Sequence, residues 1–234
     1  MEIKIENLKK VYGTNTVIDI PNLTLHKGEL IGLVGNNGAG KTTLMRLILD
    51  LISATEGQVF SNGSPVNECF DWKNYTGSFI DKGFLIEYYT PEEFFDFIAE
   101  AYNIDEATLS ERLQTFEVLM RDEIIGTGKL IRDFSEGNKQ KIGIIGAMIV
   151  NPEILILDEP FNYLDPSSQI NIARIIHEVN KQYGTTVLIS SHNLNFVSEI
   201  CNRIILMEKG IILKDLFNAD EAAAKELQSY FEGM

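Results

Sequence analysis

Apolar and polar residues alternate over residues 2–8, the period-two pattern of a half-buried strand. Three later runs do not alternate: Leu30 to Val34, Ile154 to Leu157 and Thr185 to Ser190 are apolar almost throughout. A strand with no polar face is covered on both sides, as in a parallel sheet flanked by helices. The period changes over Lys41 to Leu51, where Leu44, Leu47, Ile48 and Leu51 recur on one face of a predicted helix. Pro91 to Met120 is again helical, rich in Glu, Phe and Leu, with Thr90 placed as N-cap and Pro91 in the first turn. The pattern predicts one α/β domain over residues 1–234. A helical lobe is inserted at about 83–148, and an amphipathic helix follows at about 220–231.

Charge narrows the partners. The chain of 234 residues carries a formal net charge of −14, which repels phosphate backbones and anionic membrane surfaces. Nucleic-acid binding is therefore not expected. The longest clearly apolar stretch, Ile142 to Val150, is too short to span a bilayer, so no direct membrane insertion is expected. Cys69 and Cys201 form no CxxC pair and read as reduced thiols.

The strongest chemical signal is Gly35-Asn36-Asn37-Gly38-Ala39-Gly40-Lys41-Thr42, followed by Thr43. It satisfies G-x-x-x-x-G-K-S/T between a buried strand and a helix. Glycines let backbone amides turn toward phosphate oxygens, and the helix N-terminus adds partial positive charge. Lys41 would reach the β- and γ-phosphates of a nucleotide, and Thr42 would hold Mg²⁺ through its hydroxyl. The apolar run Ile154 to Leu157 ends in Asp158-Glu159. Carboxylates at the end of a buried strand lie at the sheet edge where ligands bind. Asp158 is the second candidate for the metal, and Glu159 the candidate for polarising an attacking water.

With these motifs the chain resembles the ATP-binding cassette (ABC) family over nearly its whole length. Phe134-Ser135-Glu136-Gly137-Asn138-Lys139-Gln140-Lys141 resembles the family signature LSGGQ with its basic tail, and departs from it at Phe134, Glu136 and Asn138. In the family this loop contacts the γ-phosphate held by the opposite subunit, so the resemblance gives Ser135, Glu136, Gly137 and Asn138 a role in trans. Asn162, Leu164 and Asp165 fall in the segment that resembles the dimer-interface loop. His192, after Ser190-Ser191, takes the place of the His that reaches the γ-phosphate, and Tyr12 that of the aromatic stacked on adenine. The largest departure is Asp81, which stands where the family carries a Gln that contacts Mg²⁺ and joins the core to the helical lobe.

The resemblance implies a P-loop NTPase (RecA-like) α/β core, a small antiparallel β subdomain and an inserted α-helical subdomain. It implies ATP and Mg²⁺ as ligands, with Glu159, His192 and Asp81 in catalysis. It also implies a homodimer or heterodimer of ABC ATPases around two ATP. A separate polytopic membrane permease would hold the ATPase peripherally on the cytoplasmic face of the membrane. The signature variant, the acid at position 81 and Ser190-Ser191-His192 look most like bacterial exporter ATPases, including antibiotic-resistance types. The alternative is a soluble ABC ATPase acting as an assembly scaffold, as in iron–sulfur cluster biogenesis. A module that closes on ATP without hydrolysing it is disfavoured by Glu159 and His192.

Overall fold

The computed structural model describes residues 2–120, 123–192 and 194–217, and the helix expected at 220–231 lies outside them. Strand β1 (Ile3–Tyr12) buries Ile3, Ile5 and Leu8, and β2 (Asn15–Leu25) buries Ile18, Ile20, Leu23 and Leu25. They pair antiparallel with each other, and β4 (Glu56–Ser61) and β5 (Ser64–Pro65) complete a sheet of order β2-β1-β4-β5.

The second sheet is built from the non-alternating runs. Strands β3 (Leu30–Val34), β7 (Ile154–Leu157) and β8 (Thr186–Ser191) are buried at every position. With β6 (Thr76–Phe79), β9 (Arg203–Glu208) and β10 (Ile211–Phe217) they form the order β10-β9-β3-β8-β7-β6. All neighbours are parallel except β9 and β10. One apolar core lies between the two sheets around helix α1 (Lys41–Ile48). The other lies between the second sheet and the helices of residues 91–183.

Helix α1 ends earlier than its period predicts. Asp50 takes a left-handed φ of 49°, Leu51 N–H bonds Arg46 O at 2.9 Å and Asp50 N–H bonds Leu47 O at 3.2 Å. This is a Schellman closure with Asp in the glycine position, and it turns Leu51 out to solvent rather than onto the helix face.

The segment between β6 and β7 is helical, with α2 (Pro91–Ala101), α3 (Glu106–Gln114), α4 (Glu117–Met120) and α5 (Glu136–Met148). Thr90 Oγ1 accepts from Glu93 N–H and the Glu93 carboxylate accepts from Thr90 N–H, a complete capping box above Pro91. Helix α6 (Pro166–Tyr183) follows β7, and α7 (Leu194–Ile200) follows β8.

Candidate active site

Sheet register decides which side chains meet. Val34 lies beside Ser191 across β3 and β8, and Leu157 lies beside Ile189 across β7 and β8. The residues that leave the carboxyl ends of these strands therefore share one edge: Gly35 after β3, Asp158-Glu159 after β7 and His192 after β8. Ligands of parallel α/β sheets bind at this edge.

Asn36, Asn37 and Gly38 form the exposed tip of the loop, while Ala39 is buried and Thr42 and Thr43 are half-buried. Gly40 has φ of 104°, and a Cβ there would come within 3.0–3.2 Å of Ile18, Val17 O and Met207. The loop is thus seated against β2, part of the same sheet as Tyr12. Tyr12 itself is 51% exposed, with Lys10 Nζ 4.8 Å from its ring centre. Lys41 is buried and donates to Gly35 O at 2.7 Å, and its ammonium lies 3.5 Å from Glu159 Oε1.

Asp158 is held by two hydroxyls. Thr42 Oγ1 donates to its Oδ2 at 2.5 Å, and Ser190 Oγ donates to its Oδ1. Burial raises the Asp158 carboxyl above its usual range, while these two hydroxyls oppose the rise. A hydroxyl and a carboxylate in contact, both hard oxygen donors, fit Mg²⁺, which takes one or two protein ligands and completes its shell with phosphate and water oxygens. Among the described residues no group of three or more His, Cys, Asp or Glu could hold a metal without such help.

Glu159 adopts a left-handed φ of 47°, an uncommon conformation for a residue with a Cβ. Its backbone is fixed on both sides: its N–H donates to Ser190 Oγ at 2.8 Å, and its carbonyl accepts from Gln140 Nε2 at 3.1 Å. Its side chain is fixed as well, with Oε2 2.9 Å from His192 Nδ1 and Oε1 near Lys41. Ser190 and Gln140 were not among the expected site residues. A buried hydroxyl demands a partner, and that was the available signal for Ser190, one of three hydroxyl residues in the buried strand β8.

Asp81, the remaining residue expected at the metal, has two protein partners here. Its Oδ2 accepts from Arg46 of α1 at 3.2 Å, and its Oδ1 accepts from Gly83 N–H at 2.8 Å as the cap of a short turn over Lys82–Phe84. It joins the helix of the phosphate loop to the segment leading into α2.

The signature segment starts α5. Ser135 is its N-cap, with Oγ accepting from Asn138 N–H at 3.2 Å and its own hydrogen left to donate. A Cβ on Gly137 would meet Tyr163 O at 2.7 Å, so this position needs glycine for packing within the chain itself. Glu136 is exposed and pairs with Lys82 and Lys139. In the segment after β7, Leu164 is buried against this chain's own core, while Tyr163 and Asp165 are exposed. Asp165 caps α6, and hydrogen bonds from Ser167 and Ser168 hold its carboxyl far below the usual range.

Comparison with known proteins agrees with this geometry. The profile of the family described as ABC transporter matches residues 18–162. The chain belongs to that family. It is 36% identical over 219 residues to the bacitracin transport ATP-binding protein BcrA of Enterococcus faecalis, spanning 92% of this chain and 68% of that one. It is 32% identical over 228 residues to the methionine import ATP-binding protein MetN 2 of Bacillus thuringiensis subsp. konkukian, spanning 91% of this chain but 64% of that one. A third relative, the tungstate uptake system ATP-binding protein TupC of Peptoclostridium acidaminophilum, is 32% identical, with 90% and 96% covered. The solved ATP-binding subunit of an ABC transporter superposes with a TM-score of 0.84 at 24% identity, covering 99% of this chain and 94% of that one. The fold is that of an ABC ATPase cassette, and the chain is an ATP-binding ATPase of this family. The relatives are named for bacitracin transport, methionine import and tungstate uptake.

Proposed function

We propose that this chain binds and hydrolyses ATP in a head-to-tail dimer and powers a separate membrane permease in the export direction. The observation that carries the reading is the convergence of Lys41, Thr42, Asp158, Glu159 and His192 at one sheet edge. Backbone amides at the start of α1 and the Lys41 ammonium bind the β- and γ-phosphates. Thr42 and Asp158 hold Mg²⁺, which neutralises charge on those phosphates when bound. Glu159 takes a proton from the water that attacks the γ-phosphorus as the bond to the β-phosphate oxygen breaks, and His192 orients that carboxylate. Tyr12 offers its open ring to adenine. Ser135, Gly137 and Asn138 of the facing chain complete the γ-phosphate site, and the segment from Asn162 through Leu164 to Asp165 lies along the seam.

The export direction rests on the signature variant, the acid at position 81 and Ser190-Ser191-His192, which look most like exporter ATPases. Among the described residues no helix is long and apolar enough to cross a membrane. In this reading the permease is a second chain, and the cassette sits on the cytoplasmic face through it.

The docking site we favour is the groove of about 230 Å³ between β6 and α2, lined by Phe79, Phe84, Leu85, Phe97 and Tyr102. Phe84 in this lining is 56% exposed, Tyr88, four residues further along the chain, is 69% exposed, and Tyr89 packs edge-on against Phe97 at 6.2 Å. A helix-in-groove contact uses such apolar anchors. Replacing Phe84 and Tyr88 with Ser should reduce recovery of a polytopic membrane protein in affinity purification from solubilised membranes by about tenfold, the loss of one or two anchors. ATP binding should be unchanged. Undiminished recovery removes this surface from the interface, and recovery of a soluble scaffold protein in place of a membrane protein contradicts the transport reading.

Asp81→Ala is expected to bind Mg-ATP normally yet lose most stimulation of ATPase activity by the permease, because the joint to Arg46 is cut. A metal contact by Asp81 would first require its release from Arg46. Parental stimulation in the variant would make Asp81 an ordinary loop residue.

A further inference from the structure

Adjacent residues of one turn reach in opposite directions. Asp81 pairs with Arg46 on α1, and Lys82 pairs with Glu136 at 2.5 Å on the first turn of α5. The same Lys82 ammonium lies 3.7 Å from the centre of the Tyr163 ring. Tyr163 holds a left-handed φ of 64° in the segment after β7, and its carbonyl abuts Gly137. Lys82 thus touches both parts of the chain that the proposed dimer presents to its partner.

Glu136 is an electrostatic problem for that dimer. It is a carboxylate within the signature segment, at a position where the family carries an uncharged residue, on a loop that would approach the facing chain's γ-phosphate. Unopposed, it would repel the ligand. Two lysines oppose it: Lys82 on Oε2 and Lys139 on Oε1 at 3.4 Å. Lys82 is the stronger partner, and its hydrogen bond is the main cause holding the Glu136 carboxyl below its usual range. With both lysines the trio is net positive, and without Lys82 it is neutral. Cation–π contact with Tyr163 also fixes where the positive charge sits.

We propose that Lys82 is a positioning residue of the trans site. It neutralises Glu136 and fastens the start of α5 to the Tyr163 segment, so that ATP-driven dimer closure depends on the Lys82–Glu136 pair. The inference rests on the dimer reading above.

The test uses the full chain in a Glu159→Gln background, where ATP is held without turnover, and measures dimerisation by sedimentation at graded protein concentration with saturating Mg-ATP. Lys82→Met should weaken the ATP-dependent dimer about tenfold through loss of one favourable charge. Binding of a fluorescent ATP analogue to the monomer should change less than about twofold, since the contacts of Lys82 are with Glu136 and Tyr163 rather than with the phosphate loop. Lys82→Arg should behave as the parent. Lys82→Met combined with Glu136→Gly should recover most of the dimer, because the carboxylate that needed neutralising is gone. A role that is only structural would leave the double variant as weak as Lys82→Met or weaker, and that outcome overturns the proposal. So does a Lys82→Met protein that dimerises like its parent. If the Glu159→Gln parent itself fails to dimerise, the dimer reading falls and this inference with it.

Discussion

Glu159→Gln is expected to bind Mg-ATP as tightly as the parent and to hydrolyse it at least about a hundredfold more slowly, the scale of losing a general base. The amide keeps the volume and one oxygen of the carboxylate, so the backbone bonds to Ser190 and Gln140 should survive. What is lost is the capacity to accept a proton at an atom held 2.9 Å from His192 Nδ1. Single-turnover phosphate release, measured with enzyme in excess, isolates this step from product release. Near-parental hydrolysis would mean that another group is the base.

Lys41→Ala is expected to cost on the order of a hundredfold in Mg-ATP affinity, the scale of losing charge-assisted hydrogen bonds to two phosphates. Lys41 is buried, and its ammonium is held at the loop by Gly35 O, so it is pre-placed rather than recruited from solvent. The substitution also leaves Glu159 without its nearby cation, so thermal denaturation should accompany the calorimetric titration to show that the variant is folded. Unchanged affinity in a folded variant would remove the phosphate loop from nucleotide binding.

The central strands were legible because they carry no polar face. Leu30 to Val34, Ile154 to Leu157 and Thr186 to Ser191 are buried throughout, as their composition requires. Their order was not legible, since an apolar run states that a strand is covered and not by which neighbour. Register alone brings Val34 beside Ser191, and with it the phosphate loop beside His192. The same limit hid the polar partners. Ser190 looks like a neutral member of its strand until Asp158 is found beside it, and Gln140 looks like a solvated helix residue until its amide meets Glu159 O. Asp81 lies 35 positions from Arg46, a separation over which no local pattern signals an ion pair. Leu51 shows the opposite failure. The helical period ran on through it, but Asp50 adopted the left-handed turn normally signalled by glycine, and the helix stopped at Ile48.

The central claim is that ATP is sandwiched between two copies of this cassette, each supplying a phosphate loop to one site and a signature loop to the other. Sedimentation velocity of the Glu159→Gln protein with and without Mg-ATP tests it most directly. The account predicts a monomer without nucleotide and a stable dimer carrying two ATP when nucleotide is added. A protein that saturates with Mg-ATP and remains monomeric at all accessible concentrations would contradict it.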